Sequence, residues 1–417
     1  MTRHRLEVAD VFRKGGSTFL DRYEKSLSLE QHRALRAITL CRTKALGKHV
    51  EACNRCGYVK QAYNSCRNRH CPKCQASARA DWLDARAADL LPVPYFHVVF
   101  TLPEQLGPVA LQNPRVVYGI LFRAAWETLR DLTRDPRHLG AKIGMLAVLH
   151  TWGSNLMHHP HIHCVVPGGG VSLDGERWVP AKGSKNRQKP FFLPVRVVSS
   201  VFRGKFIQHL KSAYRSGKVQ FHGRLVNLNQ PERFEQFLNE AVKTDWVVFC
   251  KRPFGGPRQV LKYLARYTHR VAISNGRLLE LKGDRIRFQW KDYRDGQKTK
   301  TMELTTLEFM RRFLLHVLPL GFVRIRHFGF LSNRDRAKKI QQCRTLLGVQ
   351  QEPTPAIQHA ERVDETCTQE PEASSMACPE CHMGRLATTS IQGPLRGIST
   401  RLALKLFESG VAFKDSS

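Results

Sequence analysis

The sequence predicts an α+β fold, because β-strand patterns and amphipathic helical patterns alternate along most of the chain. A β-branched and aromatic run over 95–102 predicts a buried strand, and a helical pattern follows over about 114–133. Cysteines are concentrated ahead of these elements, between Cys53 and Cys74. We therefore expect a sheet with flanking helices, preceded by a cysteine-rich module.

The remaining elements follow from local signals taken in order. Ser28 and Gln31 fit a capping box at the start of a helix, and a strand is predicted from His161 to Val166 before three glycines. Further helices are predicted over 76–91, 196–215, 232–243, 306–316 and the segment after 255–257. Further strands are predicted at 143–153, 245–251, 271–274, 277–282, 285–290 and 300–304.

Composition divides the chain into three parts, at 1–90, 91–346 and 347–417. Seven acidic residues and one basic residue lie between Glu352 and Glu380, a net charge of −6, which contrasts with the basic remainder. Such a composition is typical of disorder. We therefore expect a disordered tail that carries half a zinc knuckle, Cys378-x2-Cys381, with Cys367 and His382 nearby.

The net charge indicates a polyanionic partner. The chain of 417 residues has 67 Lys and Arg against 35 Asp and Glu, a net charge of +32. Nucleic acid is the first candidate for such a partner. No apolar run reaches the roughly 18 residues that a membrane span requires, and the first residues lack the apolar core of a signal peptide. We expect a cytoplasmic protein that associates with DNA, with cysteines present as thiols or metal ligands.

Two C-x2-C pairs predict a structural zinc site. Cys53 and Cys56 form one pair, and Cys71 and Cys74 form the other, 14 residues further on. Zn²⁺ prefers four such ligands in a tetrahedron, although buried free thiols are the alternative.

A second zinc site is open to two readings. Cys66 and His70, at C-x3-H spacing, could replace one of the C-x2-C pairs. Alternatively, they could form a second site together with Cys41 and His49.

A His-x-His pair predicts a more open metal site. In a strand, His161 and His163 point to the same face, roughly 7 Å apart, so that both imidazoles can reach one ion. Two ordinary buried or surface histidines are the alternative. His97 and His150 are the candidates for a further ligand.

Tyr263 and Tyr267 supply a candidate nucleophile. They are four residues apart on a predicted helix, so that both hydroxyls lie on one face, although such aromatic pairs more often pack in a core. A cation at His161 and His163 could polarise a phosphodiester for tyrosine attack, which would leave a phosphotyrosine and a free 3′-hydroxyl. Because the bond energy is kept, no ATP is needed, and the chain has no G-x4-G-K-[ST] motif.

Basic side chains near these motifs are the candidate DNA contacts. They belong to the cysteine-rich module, to the loop over 181–190 and to the tyrosine segment: Arg67, Arg69, Lys182, Lys185, Arg187, Lys189, Lys262, Arg266 and Arg270.

These motifs resemble those of a known family. His161-Ile162-His163 resembles the His-hydrophobe-His motif of HUH single-strand endonucleases, Tyr263-x3-Tyr267 resembles their two-tyrosine signature, and VVFTLP resembles a first-strand motif of rolling-circle initiators. CRTKALGKH, YNSCRNRHCPKC, HPHIHCVVPGGG, YLARYTHRVAISN and GFVRIRHFGFL are similar to the two-tyrosine transposases of bacterial rolling-circle insertion sequences.

The resemblance covers about residues 5–346 and implies a central antiparallel sheet, an N-terminal zinc-binding domain and a Mg²⁺ or Mn²⁺ ion at the catalytic histidines. It also implies nicking and transfer of single DNA strands at element ends. The alternatives are a non-catalytic zinc-ribbon DNA-binding regulator, a metallohydrolase and a tyrosine recombinase. A recombinase needs its tyrosine downstream of the RIRHFGF segment, whereas the last tyrosine here is Tyr293, upstream of His327.

Overall fold

The computed structural model describes residues 6–74, 86, 89–181, 193–251, 259, 272–293, 295–349, 377–394 and 399–409. Its helices are α1 Val8–Tyr23, α2 Leu29–Leu40, α3 Gly107–Gln112, α4 Pro114–Arg134, α5 Val195–Arg215, α6 Pro231–Val242, α7 Thr306–Leu314, α8 Arg336–Leu346 and α9 Thr400–Glu408. Its strands are β1 Lys48–Cys53, β2 Val59–Tyr63, β3 Tyr95–Thr101, β4 Ala141–Lys142, β5 Gly144–Trp152, β6 His158–Pro167, β7 Gly169–Ser172, β8 Trp178–Pro180, β9 Val248–Lys251, β10 Leu278–Lys282, β11 Arg285–Asp292, β12 Lys298–Thr305, β13 Ile325–Gly329 and β14 Leu386–Gln392.

The described elements are a mixture of helices and antiparallel sheets, which confirms the predicted α+β class. A capping box joins Ser28 and Gln31 at the start of α2, as predicted. One prediction is wrong: residues 272–274 do not form a strand, and Ala272 has a φ of +50°, which lies outside the extended region.

The central sheet has five strands in the order β13-β5-β6-β3-β9, and each neighbouring pair is antiparallel. One face is apolar, because Phe100 of β3 and Ile162 of β6 are fully buried in a core with Leu121 of α4 and Phe202 of α5. Side chains alternate along a strand, so that His97 of β3, His150 of β5, and His161 and His163 of β6 lie on the opposite face.

A second core joins the N-terminal helices to a later part of the chain. Phe12 of α1 packs edge to face on Phe313 of α7, with the ring centroids 5.3 Å apart, and both rings are fully buried. Phe288 of β11 and Trp152, at the end of β5, belong to the same core. The sheet β10-β11-β12 therefore connects the N-terminal helices to the central sheet.

The last described segments pack on the N-terminal module. Strand β14 pairs with β1, and α9 packs against α1. The prediction of a disordered tail is therefore wrong for 377–394 and 399–409. The acidic stretch over 350–376 lies outside the described residues.

Across the described part of the chain, no helix is both long and apolar enough to cross a membrane.

Candidate active site and cysteine clusters

Three histidines converge on one face of the central sheet. His150 of β5 lies directly opposite His161 of β6 in the antiparallel register, and His163 follows two residues later on the same face. One ring nitrogen from each of the three lies within 4.8 Å of the others. The predicted proximity of His161 and His163 is present, with ring centroids 4.9 Å apart, and His150 occupies the third position.

His97 supports this cluster from the neighbouring strand β3. Its Nε2 lies 2.9 Å from Nδ1 of His163, and its side chain is almost fully buried. A neutral His163 that binds a metal through Nε2 carries its proton on Nδ1, and this N–H donates a hydrogen bond to Nε2 of His97. His97 is therefore placed to set the tautomer and the ring orientation of His163.

His161 is held in a similar way. Its Nδ1 donates a hydrogen bond of 2.7 Å to the carbonyl oxygen of His159, so that Nε2 is the candidate ligand nitrogen. Desolvation by the surrounding protein lowers the pKa of His161 to about 3, and the charges of the His159 and His97 rings act in the same direction, while the hydrogen bond to the His159 carbonyl opposes them. A neutral imidazole is the form that binds a metal ion.

An aromatic ring fixes the third histidine. Trp152 stacks on His150, with ring centroids 4.5 Å apart and an angle of 17° between the planes. The Trp152 side chain is anchored in the second core together with Leu156, which is fully buried. The histidine cluster is therefore held in place by hydrogen-bonded strands and by aromatic packing, which together form a rigid scaffold.

The predicted nucleophiles and most of the predicted DNA contacts lie outside the described residues. These are Tyr263, Tyr267, Lys262, Arg266, Arg270, Lys182, Lys185, Arg187 and Lys189.

The described ends of the tyrosine segment both lie beside the histidine face. Lys251, at the end of β9, pairs with His97. Ala272, 21 positions further on, is buried in the same core as Trp152.

Arg69 does not fit its predicted role as a DNA contact. Its guanidinium is half-buried and donates hydrogen bonds to the carbonyl oxygens of Phe322, Leu318 and Pro319 at 2.7, 3.5 and 3.1 Å. These bonds tie the cysteine-rich module to the loop that precedes β13. Arg67 is exposed, and its contact with DNA stays a prediction.

The cysteines form two clusters, and neither has the predicted membership. Cys41, Cys66, Cys71 and Cys74 bring their sulfur atoms within 4.8 Å of one another. Cys74 Sγ lies 3.6 Å from Cys41 Sγ and 3.5 Å from Cys66 Sγ. Cys53 and Cys56 lie elsewhere, so the single site predicted from both C-x2-C pairs is wrong.

The second cluster joins two cysteines at or just after the end of β1 to two cysteines that precede β14. Cys53 Sγ lies 3.7 Å from Cys381 Sγ, and Cys56 Sγ lies 3.7 Å from Cys378 Sγ. The C-x2-C pair predicted to be half a site is therefore completed by residues more than 300 positions away.

The separations in both clusters fit zinc. Zn–S bonds of about 2.3 Å in a tetrahedron place the sulfur atoms about 3.8 Å apart. Four thiolates leave no position for a substrate, which is typical of a structural site.

The two histidines predicted as zinc ligands are engaged in other contacts. Nδ1 of His49 lies 2.8 Å from Oδ1 of Asn64, and Nε2 of His70 accepts a hydrogen bond of 3.2 Å from the amide of Leu318.

Of the two candidates for a further ligand, His150 lies in the cluster, whereas His97 lies behind it against His163. The sequence left the choice between them open, because each stands alone in its own apolar strand pattern. The parity of His97 and His150 within strands β3 and β5 was the available signal, but it becomes informative only once the strand order is known.

The chain combines a cysteine module of the zinc-binding type with an antiparallel sheet that carries a histidine cluster. Comparison with known proteins identifies the class of protein to which it belongs. Residues 11–102 match the family model described as "Transposase zinc-binding domain", of the IS91 type, and residues 144–339 match the model described as "Putative transposase".

Two relatives give the same assignment. The chain is 54% identical over 392 residues to "Putative transposase y4qJ" of Sinorhizobium fredii, a match that covers 94% of this chain and 96% of the relative. It is 29% identical over 297 residues to "Transposase for insertion sequence element IS801" of Pseudomonas savastanoi pv. phaseolicola, covering 70% and 68%. The chain therefore belongs to this family of insertion-sequence transposases and carries its zinc-binding domain.

Proposed function

We propose that this transposase nicks and transfers single DNA strands by tyrosine attack on a phosphodiester held at the histidine cluster, in rolling-circle transposition. The observation that carries the proposal is the convergence of His150, His161 and His163 on one sheet face, with His97 behind them. Such a site suits reaction at a phosphate, because imidazoles held on two paired strands can keep a cation in one position.

The donor set favours one kind of cation. A divalent cation bound there would act as a Lewis acid on the scissile phosphate. Imidazoles suit transition metals, whereas Mg²⁺ prefers oxygen ligands, so that Mn²⁺ fits the described residues better than Mg²⁺. The neutral state of His161 agrees with a ligand role, since a protonated ring has no lone pair to offer.

Each side chain has its own role in this proposal. His97 is a positioning residue that orients His163. Tyr263 or Tyr267 is the nucleophile: its phenolic oxygen forms a bond to phosphorus, the bond to the 3′-oxygen breaks, and the 3′-oxygen leaves as a hydroxyl. The phosphotyrosine keeps the bond energy, so that a later 3′-hydroxyl can reverse the step and join a new strand without ATP.

We propose that this chain binds DNA through electrostatic attraction between its basic side chains and the phosphates. A net charge of +32 implies many phosphate contacts, and binding of this kind weakens steeply as the salt concentration rises, because the protein releases counterions from the DNA when it binds. Among the predicted contacts, Arg67 and the basic residues of the loop over 182–189 and of the tyrosine segment remain the candidates.

The test is incubation of the full chain with labelled single strands from the element ends and Mn²⁺. We expect a covalent protein–DNA adduct at a 5′-phosphate, absent from the double variant Tyr263→Phe plus Tyr267→Phe. Each single variant is expected to retain nicking and to lose complete strand transfer. An adduct formed by the double variant would place the nucleophile elsewhere. DNA binding without any metal-dependent cleavage would favour a non-catalytic regulator.

A further inference from the structure

We infer that Cys53, Cys56, Cys378 and Cys381 bind one structural zinc ion, and that this ion clamps the C-terminal segment onto the N-terminal module. Residues 377–409 lie beyond both segments that match family models, at 11–102 and 144–339. Cys53 and Cys56 lie within the match to the zinc-binding domain, whereas Cys378 and Cys381 lie outside both matches, so that the clamp is separate from the catalytic proposal.

The two cysteine turns have the same backbone conformation although they come from opposite ends. The residue after the second cysteine is left-handed in both, with φ of +73° at Gly57 and +53° at His382. In both turns the amide of that residue donates to the carbonyl oxygen of the first cysteine, at 3.3 Å to Cys53 and 3.0 Å to Cys378. Two matching C-x2-C turns that face each other are the usual construction of a zinc ribbon.

Main-chain amides also point at the sulfur atoms. The amide of Arg55 donates to Cys53 Sγ at 3.4 Å, and the amide of Gly384 donates to Cys381 Sγ at 3.3 Å. Such hydrogen bonds favour the thiolate, which is the form of cysteine that binds zinc. A Cβ at Gly384 would overlap with the sulfur of Cys53, so that the close approach of the two turns requires glycine there.

Strand pairing extends this contact beyond the four ligands. Strand β14 pairs with β1 from Cys53 opposite Leu386 to Lys48 opposite Gln392. Next to the turns, the amide of Asn54 donates to the carbonyl oxygen of Arg385 at 3.1 Å, and the Arg385 amide donates to Oδ1 of Asn54 at 2.9 Å. Together β14, β1 and β2 form the three-stranded sheet of a ribbon assembled from distant parts of the sequence.

The zinc site would also fix the position of helix α9. Its Leu404 is fully buried against Gly16 of α1, whereas its ion pairs, from Arg401 to Asp21 and Glu24 at 2.6 and 2.7 Å, lie at the surface. Exposed ion pairs contribute little. Because α9 follows β14 closely, release of the ribbon would leave this short helix to dock through few apolar contacts.

The experiment compares two serine variants of the full chain, one in each cysteine cluster. For Cys381→Ser we expect one zinc fewer per chain than in the unmodified protein, and amide exchange of β14 at least tenfold faster. For Cys74→Ser we expect one zinc fewer with β14 still protected. Cys250→Ser, in strand β9 outside both clusters, should change neither quantity. Unchanged zinc content in Cys381→Ser, or equal exposure of β14 in the two cluster variants, would overturn the inference.

A second measurement keeps the inference testable if Cys381→Ser does not fold. Zinc is removed stepwise from the unmodified protein with a chelator while hydrogen exchange of β14 and β6 is followed. We expect β14 to lose protection as zinc leaves and to regain it when zinc is restored, while β6 in the central sheet stays protected. Protection of β14 that persists after all zinc is removed would show that no metal clamps this segment.

Discussion

The histidine cluster and the two-ended cysteine cluster are both candidate metal sites, but they stand on different supports. The histidines lie on strands whose opposite face packs in an apolar core, where Phe100, Ile162 and Phe202 are fully buried. That scaffold holds its shape through hydrogen-bonded strands and apolar packing. The cysteines lie on short turns at the edge of a three-stranded sheet, where little apolar surface is buried beyond Leu386 and Cys378.

The difference indicates what each metal would do. A rigid scaffold places its ligands in advance, so that the cation there contributes to chemistry more than to folding. Ligands carried by turns at distant positions need the ion to hold them together, so that binding energy becomes folding energy. The predictions below either break or sharpen this contrast, beginning with the largest expected effect.

His161→Ala is expected to lower the nicking rate by about 10²–10³-fold, because a ligand of the cation that stabilises charge at the phosphate is lost. Its affinity for single strands and its unfolding midpoint should stay close to those of the unmodified protein. Single-turnover nicking, a binding titration and a denaturant melt give the three quantities. His222→Ala is the control, since this exposed histidine lies outside the cluster. A large loss of stability in His161→Ala would contradict the rigid-scaffold account.

His97→Gln is expected to weaken Mn²⁺ binding by about 10–100-fold, as is usual when a residue that orients a ligand is changed. The measurement is Mn²⁺ affinity by calorimetry or by electron paramagnetic resonance, which does not depend on activity. Glutamine offers a hydrogen bond to His163 but cannot stack on its ring as His97 does, with centroids 5.1 Å apart. Unchanged Mn²⁺ affinity in this variant would remove His97 from the site.

The buried His316 provides a test of the histidine scaffold through the pH dependence of the free energy of unfolding. Burial lowers the pKa of His316 from 6.5 to about 3, while its Nε2 donates to the carbonyl oxygen of Leu156 at 3.0 Å. The unfolded chain binds a proton here below about pH 6.5, whereas the folded protein does not until about pH 3. The free energy of unfolding should therefore decrease as pH falls below 6.5, by up to about 1.4 kcal/mol per pH unit for this group.

The measurement for His316 compares denaturant melts between pH 7 and pH 5. His316→Gln should show a shallower pH dependence than the unmodified protein, by close to one proton, because other buried histidines titrate in both. An identical slope in the two proteins would show that His316 is protonated in the folded state.

Arg401→Ala is expected to have the smallest effect, below about 1 kcal/mol in the free energy of unfolding, because both of its ion pairs are exposed at the surface. Amide exchange in α9 should rise only slightly and that of β14 should not change. Leu404→Ala is the contrasting variant, since it removes buried apolar volume. Complete release of α9 by Arg401→Ala would mean that charge, rather than the ribbon, holds the C-terminal segment.

Local pattern was sufficient for most of the elements and for part of the sites. Strand periodicity predicted that His161 and His163 share a face, because successive side chains in any strand alternate. The capping box at Ser28 and the strand at 95–101 follow equally from short-range chemistry. C-x2-C spacing predicted zinc ligands, because two thiolates at that spacing fit one tetrahedral ion in almost any turn.

Tertiary structure decided which of these local units meet. The strand order β5-β6-β3 places His150 and His97 beside His161 and His163. The spacing of residues within a single strand carries no information about this order. The same holds for Arg69, whose partners lie about 250 positions away. It also holds for Cys56, whose sulfur lies 3.7 Å from that of Cys378. Periodicity and spacing are properties of neighbouring residues, whereas strand pairing and the meeting of chain ends depend on the burial of the whole core.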